Sequence, residues 1–360
     1  MKFVCLFIFF FTLNLNLISQ SPDSEKYKFA GAQLHYGFII AHTPVVESIS
    51  HTNPYGFDIS YSTLKTSYES WNVFHCYNIS GIQAGYFNFQ NPDVTGSAYI
   101  LSVFTEPVLS SDRRYQFTFK AGGGLSYMTR IYKYGTDTLN KFFSTRISFP
   151  IYLSARFKYR VAPGTFLTLS ANFNHISNGS IRVPNYGMNY PTVSIGLEMF
   201  QKPIPDLSRK YDSEIKRKVT DKYFLLQALT GYKVVYSEPT GTIGVSARFM
   251  KQIRTFYGWN AGAEIIFDNG IKRMIEIENS KLDYKRFAVT GGFDFYLGRV
   301  IFTTYLGVYL YCPYKGKEPF YEKIELSYKI RPDILTGVFL KTHTSDAELF
   351  GFAVSYMLHL

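Results

Sequence analysis

Tyr115-Gln116-Phe117-Thr118-Phe119-Lys120-Ala121-Gly122-Gly123-Gly124-Leu125-Ser126-Tyr127 alternates along its whole length. Tyr115, Phe117, Phe119, Ala121, Gly123, Leu125 and Tyr127 fall on one parity. Gln116, Thr118, Lys120, Gly122, Gly124 and Ser126 fall on the other. Successive side chains of an extended chain point to opposite faces, so this is one strand with an apolar face and a polar or small face. The pattern returns in Ile243, Val245, Ala247 and Phe249 against Thr242, Gly244, Ser246 and Arg248, and again in Val289, Gly291, Phe293, Phe295 and Leu297. The aromatic share of 18% comes from 33 Phe and 30 Tyr but only 2 Trp, which favours strands and membrane interfaces over helical packing.

The chain has 360 residues, and 46% hydrophobic content beside 18% charge excludes a disordered polymer. Lys2 followed by the apolar run Phe3 to Phe11, with a polar patch at Ser19, Gln20 and Ser21, reads as a secretory signal over residues 1–20. Its removal takes away one base, Lys2, and no acid, so the formal charge falls from +11 to +10. An exported basic chain without a Lys/Arg block meets anionic lipid head groups, not nucleic acid. Once Cys5 leaves with the signal, Cys76 and Cys312 are too far apart in sequence to form a zinc cluster or a redox CxxC pair, although a disulfide between them stays open. The seven histidines show no metal-ligand spacing, so no metal is expected.

After the signal no apolar run approaches the roughly 18 to 20 residues that a spanning helix requires. Alternating strands ending in aromatics on an exported chain fit an all-β, transmembrane antiparallel barrel better than a soluble sandwich. A closed barrel also pairs every backbone group within the bilayer. The pattern places strands near 28–41, 55–63, 80–89, 96–106, 114–129, 144–160, 165–176 and 190–200. Eight more fall near 223–236, 240–251, 255–267, 284–297, 299–311, 319–330, 333–342 and 347–360. Residues 201–222 between them, charged and marked by Pro203 and Pro205, read as a linker or long turn. One barrel of about 16 strands is expected, with 223–360 completing the part begun by 21–200; two eight-stranded units are the alternative.

Parity gives residues 165–200 particular content. Thr165, Leu167, Leu169, Ala171, Phe173, His175 and Ser177 share the apolar, lipid-facing side, whereas Phe166, Thr168, Ser170, Asn172, Asn174 and Asn178 face the lumen. His175 and Ser177 stand two apart on one face, so their Cα atoms lie about 6 to 7 Å apart and the imidazole can reach the hydroxyl. That spacing suits a general base and its nucleophile. An isolated His-x-Ser is more often a water-satisfied pair at a barrel rim.

The neighbouring residues change that balance. His175-Ile176-Ser177-Asn178-Gly179, followed by Pro184-Asn185-Tyr186-Gly187-Met188-Asn189, resembles the signature of the lipid A deacylase family (PagL) and its longer acyloxyacyl-hydrolase-like relatives. The resemblance implies Ser177 as nucleophile, His175 as base, and an oxyanion hole from the Gly179 backbone N–H and the Asn185 side-chain amide. In that family the residue fourteen after the His is a Glu that orients the imidazole. Here it is Asn189, which can fix the tautomer but does less for an imidazolium. Glu198 has lumen parity and cannot substitute. Outer-membrane phospholipase A is similar too, with a His-x-Ser-Asn-Gly run and an Asn fourteen residues after its His, and this second resemblance implies calcium dependence. Both likenesses are confined to about residues 144–200.

With a periplasmic start, the seventh strand runs outward, and the short Val161-Ala162-Pro163-Gly164 turn before it suits the periplasmic side. The expectation is therefore an outer-membrane serine esterase acting on lipid A or lipopolysaccharide at the outer-leaflet level, without a cofactor. A phospholipase A, needing calcium, is the first alternative. A non-catalytic pore or scaffold is the second. Oligomeric state and the role of 223–360 are open at this level.

Overall fold

The computed structural model describes residues 26–360 apart from 68–69, 72–75, 180, 206, 208–220, 236–237, 255–256, 298, 315–317 and 344–345. The signal expected over 1–20 lies outside the described residues, as does most of the 201–222 connection. Eight strands form the first half: β1 Lys26–Gly37, β2 Tyr55–Lys65, β3 Asn78–Asn88, β4 Ser97–Ser111, β5 Tyr115–Met128, β6 Ile147–Ala162, β7 Thr165–Ser177 and β8 Met188–Phe200. The second half holds β9 Lys222–Val235, β10 Glu238–Arg254, β11 Tyr257–Asp268, β12 Lys285–Leu297, β13 Val300–Tyr311, β14 Phe320–Lys329, β15 Ile334–His343 and β16 Asp346–His359.

Each half closes on itself. β1 pairs with β8 from Phe29↔Phe200 to Gly37↔Thr192, and β9 pairs with β16 from Tyr232↔Phe350 to Tyr223↔His359. The expectation of one barrel of about 16 strands, with 223–360 completing it, is therefore corrected: there are two closed eight-stranded barrels. The physical reason is at the seam. β8 gives its free edge to β1, so no backbone donors or acceptors remain there for β9, and a closed sheet has no edge to extend.

Alternation in sequence becomes alternation across the wall. Tyr115, Phe117 and Phe119 of β5 face outward, while Gln116, Thr118 and Lys120 are buried inside. A barrel of eight strands leaves room for side chains and little else. In the first lumen Arg156 bonds Glu106 at 2.7 Å and Glu198 at 2.9 Å, and Lys158 bonds the same two carboxylates at 2.6 and 2.8 Å. The second lumen is filled likewise, with Lys233–Asp268 at 2.8 Å, Arg286–Glu348 at 2.7 Å, Lys323–Glu264 at 2.9 Å and Arg248–Glu325 at 3.1 Å. Buried charge is costly unless paired, and the facing strands supply the partners. Apolar clusters lie above and below the polar layer of the first barrel, one including Phe89, Phe142, Phe143, Ile176 and Met188, the other Phe29, Leu64, Ile79 and Phe166.

Connections differ between the two ends of the first barrel. The segments 38–54, 89–96, 129–146 and 178–187 lie at one end, and 66–77, 112–114 and 163–164 at the other. Among the described residues, short helices occur in connections where the alternation pattern carries no signal, including α1, Pro44–Glu47, and α2, Asn269–Ile277. The Asp268 side chain caps α2 by accepting the Ile271 N–H at 3.1 Å. β1 stops at Gly37, short of the expected 41, although Ile40 still bridges Asn189 in the same register, because Pro191 of β8, which faces Phe38, has no N–H to give the ladder. Gly37 N–H donates to Pro54 O, and Ile40 N–H donates to Asn189 O, both at 2.9 Å. No described helix is long and apolar enough to cross a membrane. Cys76 and Cys312 are both free thiols, in connections at opposite ends of different barrels. Burial pushes the Cys76 thiol up to about 11, so it is not a reactive thiolate at neutral pH.

Candidate active site

Ile176 is fully buried in the apolar cluster at the end of the first barrel and is the cross-strand partner of Met188, which is equally buried. With that inward residue fixed, its neighbours on either side must point outward. His175 and Ser177 accordingly stand on the outer face of β7, half-buried at the end of a stripe that includes Leu169, 58% exposed, and Phe173. Glu198 is inside, held by Arg156 and Lys158, and takes no part in this face.

His175 pairs directly across the ladder with Asn189 of β8, and its Nδ1 lies 2.6 Å from the Asn189 Oδ1. An amide oxygen can only accept, so Nδ1 carries the proton and Nε2 keeps its lone pair. The partner in this bond is an amide, where the resemblance to the deacylases would place a carboxylate. Asn189 is held in turn through its own carbonyl, which accepts from Ile40 N–H.

Ser177 ends β7, and the chain turns sharply after it. Gly179, at φ +64°, donates its backbone N–H to Ser177 Oγ at 3.1 Å. Asn178 is completely buried and ties the turn down, its side-chain amide donating to Ser144 Oγ at 3.1 Å and to Arg182 O at 2.9 Å. The Asn178 backbone N–H donates to Asn185 Oδ1 at 3.0 Å. With its oxygen engaged in that way, the Asn185 side chain presents its NH2 end elsewhere. The 178–187 connection thus brings Gly179 to Ser177 and Asn185 to the Asn178 backbone beside it, while β8 brings Asn189 to His175.

Sequence reasoning assigned no role to Gly187, although it falls within the quoted motif. Its φ is +68°, and a Cβ there would stand 2.9 Å from His175 Cε1 and 3.1 Å from Ser177 Cβ. The glycine backbone therefore lies against both side chains, and no other residue leaves them that space. Gly187 N–H donates to Phe142 O, and Tyr186 N–H to Lys141 O, each at 3.2 Å, so the 129–146 connection braces this strand of the site. His42 braces it from the other side, its Nε2 donating to Tyr186 O at 3.0 Å. Phe149 was also unassigned. It is the cross-strand partner of Ser177 on β6 and points to the same outer face. Only its place in the ladder, which requires the register of β6, could have revealed it.

A second His–carboxylate pair, His35 Nε2 to Asp58 Oδ2 at 2.6 Å, lies buried in the first lumen beside a cavity of about 20 Å³, room for about one water. No lipid could reach it. Among the described residues no group of three or more His, Cys, Asp or Glu side chains is arranged to hold a metal ion.

Comparison with known families and structures bears on this geometry. Residues 55–198 match the family model described as lipid A 3-O-deacylase (PagL), and residues 222–360 match that of the acyloxyacyl hydrolase C-terminal domain. Comparison with curated protein sequences finds no match. Among solved structures, a mutant porin of Rh. blastica is 10% identical, with 93% of this chain and 100% of that chain covered, at a TM-score of 0.20. The Acinetobacter baumannii outer membrane protein Omp33 is 8% identical, with 92% and 99% covered, also at a TM-score of 0.20. Superposition at that level is too poor to bear on the fold or the chemistry of this chain.

Proposed function

Because the chain belongs to the lipid A 3-O-deacylase (PagL) family and is an outer-membrane protein, we propose that it removes an ester-linked acyl chain from lipid A, with Ser177 as nucleophile and His175 as its base. The observation that carries this reading is the 2.6 Å His175–Asn189 bond on the lipid-facing side of the wall, beside Ser177. Ser177 Oγ attacks the acyl carbonyl carbon, and His175 Nε2 takes the hydroxyl proton. The resulting oxyanion accepts from Gly179 N–H, already within 3.1 Å of Oγ, and from the Asn185 amide. Collapse of this intermediate breaks the ester C–O bond, and the imidazolium protonates the departing sugar oxygen. Water then cleaves the acyl-serine by the reverse sequence of proton transfers, releasing a fatty acid. Asn189 positions the imidazole throughout.

The longer connections lie at the site end of the first barrel, and in outer-membrane barrels such loops face outward. This supports a position for Ser177 at the level of the outer leaflet, where lipid A resides. One specific observation favours the phospholipase A reading: the residue bonded to His175 is an Asn. Calcium separates the two readings, since hydrolysis should continue in excess EDTA for the deacylase.

The direct test is mass spectrometry of lipid A from cells making the wild-type protein, Ser177→Ala or His175→Ala. Wild-type protein should yield lipid A lacking one acyl chain. Each variant should lower that conversion by at least about a thousandfold while still migrating as a folded, heat-modifiable barrel. Unaltered lipid A with wild-type protein, or full activity in either variant, would remove the assignment.

A further inference from the structure

The second barrel touches the first beside Ser177. Phe350, near the start of β16, stacks on Phe149 with ring centroids 6.0 Å apart and planes 13° from parallel. Phe149 is the cross-strand partner of Ser177 on the same outward face. A Cβ built on Gly179 would lie 3.6 Å from Phe350 Cβ and 3.7 Å from its Cγ, so the ring also lies over the glycine whose N–H reaches Ser177 Oγ. Phe352 packs edge-on against Phe350 at 5.8 Å.

This contact is confined to the rim. On the outward face of β16, Phe350 and Phe352 are half-buried, whereas Val354 further along is 57% exposed. On β6, Phe149 is half-buried, whereas Ile151, the cross-strand partner of His175, is 55% exposed, and Leu153 beyond it is exposed as well. β6 and β16 both run away from the rim in the direction of the opposite end. The wall beyond the aromatic contact is thus an open apolar track of Ile151, Leu153 and Phe173 leading from the candidate nucleophile toward the membrane interior.

We propose that Phe350 of the second barrel, stacked on Phe149, is a specificity-determining wall of the acyl-chain site, so that the two barrels share one substrate cleft. This rests on the esterase reading. An acyl chain whose carbonyl carbon sits at Ser177 Oγ has its first methylenes beside Phe149 and Phe350 and its tail along Ile151 and Leu153. The ligand class is a saturated hydrocarbon chain on an ester, which an aromatic pair over an aliphatic track accommodates by shape and dispersion alone. Phe350 is a positioning residue in this scheme and exchanges no proton.

The experiment uses the full chain refolded in detergent micelles, with p-nitrophenyl butyrate, laurate and palmitate as probes. Phe350→Ala should raise KM for laurate and palmitate by about tenfold with a smaller change in kcat, and raise it less for butyrate, because butyrate loses only the contact of its first methylenes whereas a long chain also loses the wall that guides it onto the track. Phe350→Trp should shift preference toward butyrate. Ile243→Ala, on the outer face of the second barrel, should match wild type. In a Cys76→Ser, Cys312→Ser background, the pair Phe149→Cys and Phe350→Cys should crosslink, which tests the contact without reference to activity. An active protein whose chain-length profile is the same in Phe350→Ala and Phe350→Trp as in wild type overturns the proposal and leaves the esterase reading intact. Failure to crosslink overturns it as well. A wild-type protein inactive on all three esters removes the esterase reading, and the shared cleft with it.

Discussion

Gly187→Ala adds one methyl group and should cost most of the activity. The new carbon would stand 2.9 Å from His175 Cε1 and 3.1 Å from Ser177 Cβ, at a backbone φ of +68° that L-residues rarely adopt. Displacing either side chain by a few tenths of an ångström disturbs a near-attack geometry, and a loss of about a hundredfold in kcat is expected with the barrel still folded. Gly135→Ala is the control: its φ is +81°, but nothing lies within 4 Å, so kcat should be unchanged. At Asn189 the substitution runs the other way. Asn189→Glu puts a carboxylate where the amide now bonds Nδ1 and should hold or raise kcat, because it stabilises the imidazolium that Asn can only orient. Asn189→Ala should lower kcat by about a hundredfold. A neutral Asn189→Ala would mean that the imidazole is oriented by something else. These residues were legible to different degrees. His175, Ser177, Gly179, Asn185 and Asn189 stand in one short motif whose spacing can be read directly. Gly187 stands in the same motif, but its reason lies in a contact across β7 and β8 that spacing does not encode.

At the level of the strand, period two was the readable signal, and it located the ladders to within a few residues because each strand has one lipid face and one lumen face. It failed where the chain obeys other rules: the interrupted ladder after Gly37, the short helix at Pro44, and the far end of β4, where a register shift between Val108 and Ser110 lets the strand run on to Ser111. Period two also says nothing about which lumen side chains meet. Glu106 of β4 reaches Arg156 and Lys158 of β6, and also accepts from Thr118 Oγ1 at 2.6 Å. Glu106→Gln leaves those two cations with Glu198 alone, so the first barrel should lose about 3 to 5 kcal/mol. The readout is the temperature at which the heat-modifiable band disappears on gels. An unchanged transition would show that the lumen network contributes nothing to stability.

For the whole molecule, the count of strands was legible and their closure was not, because sixteen strands in chain order are compatible with one seam or two. What decides is the pairing of β1 with β8, a contact between residues far apart in sequence. Two small lumens filled by ion pairs have a functional corollary: reconstituted in planar bilayers, the protein should pass no steady ionic current, whereas one wide barrel of about 16 strands would conduct. Stable single-channel steps would favour the pore reading. The outward placement of His175 and Ser177 on a closed wall has one more consequence. A wall whose every strand is paired on both sides cannot fold over its substrate as a jaw or lid would. Encounter is then a two-dimensional process, governed by how many substrate molecules share the leaflet with the protein and how fast they drift past it. Turnover should follow the mole fraction of substrate in the surface, so that diluting the leaflet with inert lipid slows the reaction even when the total amount of substrate in the tube is unchanged.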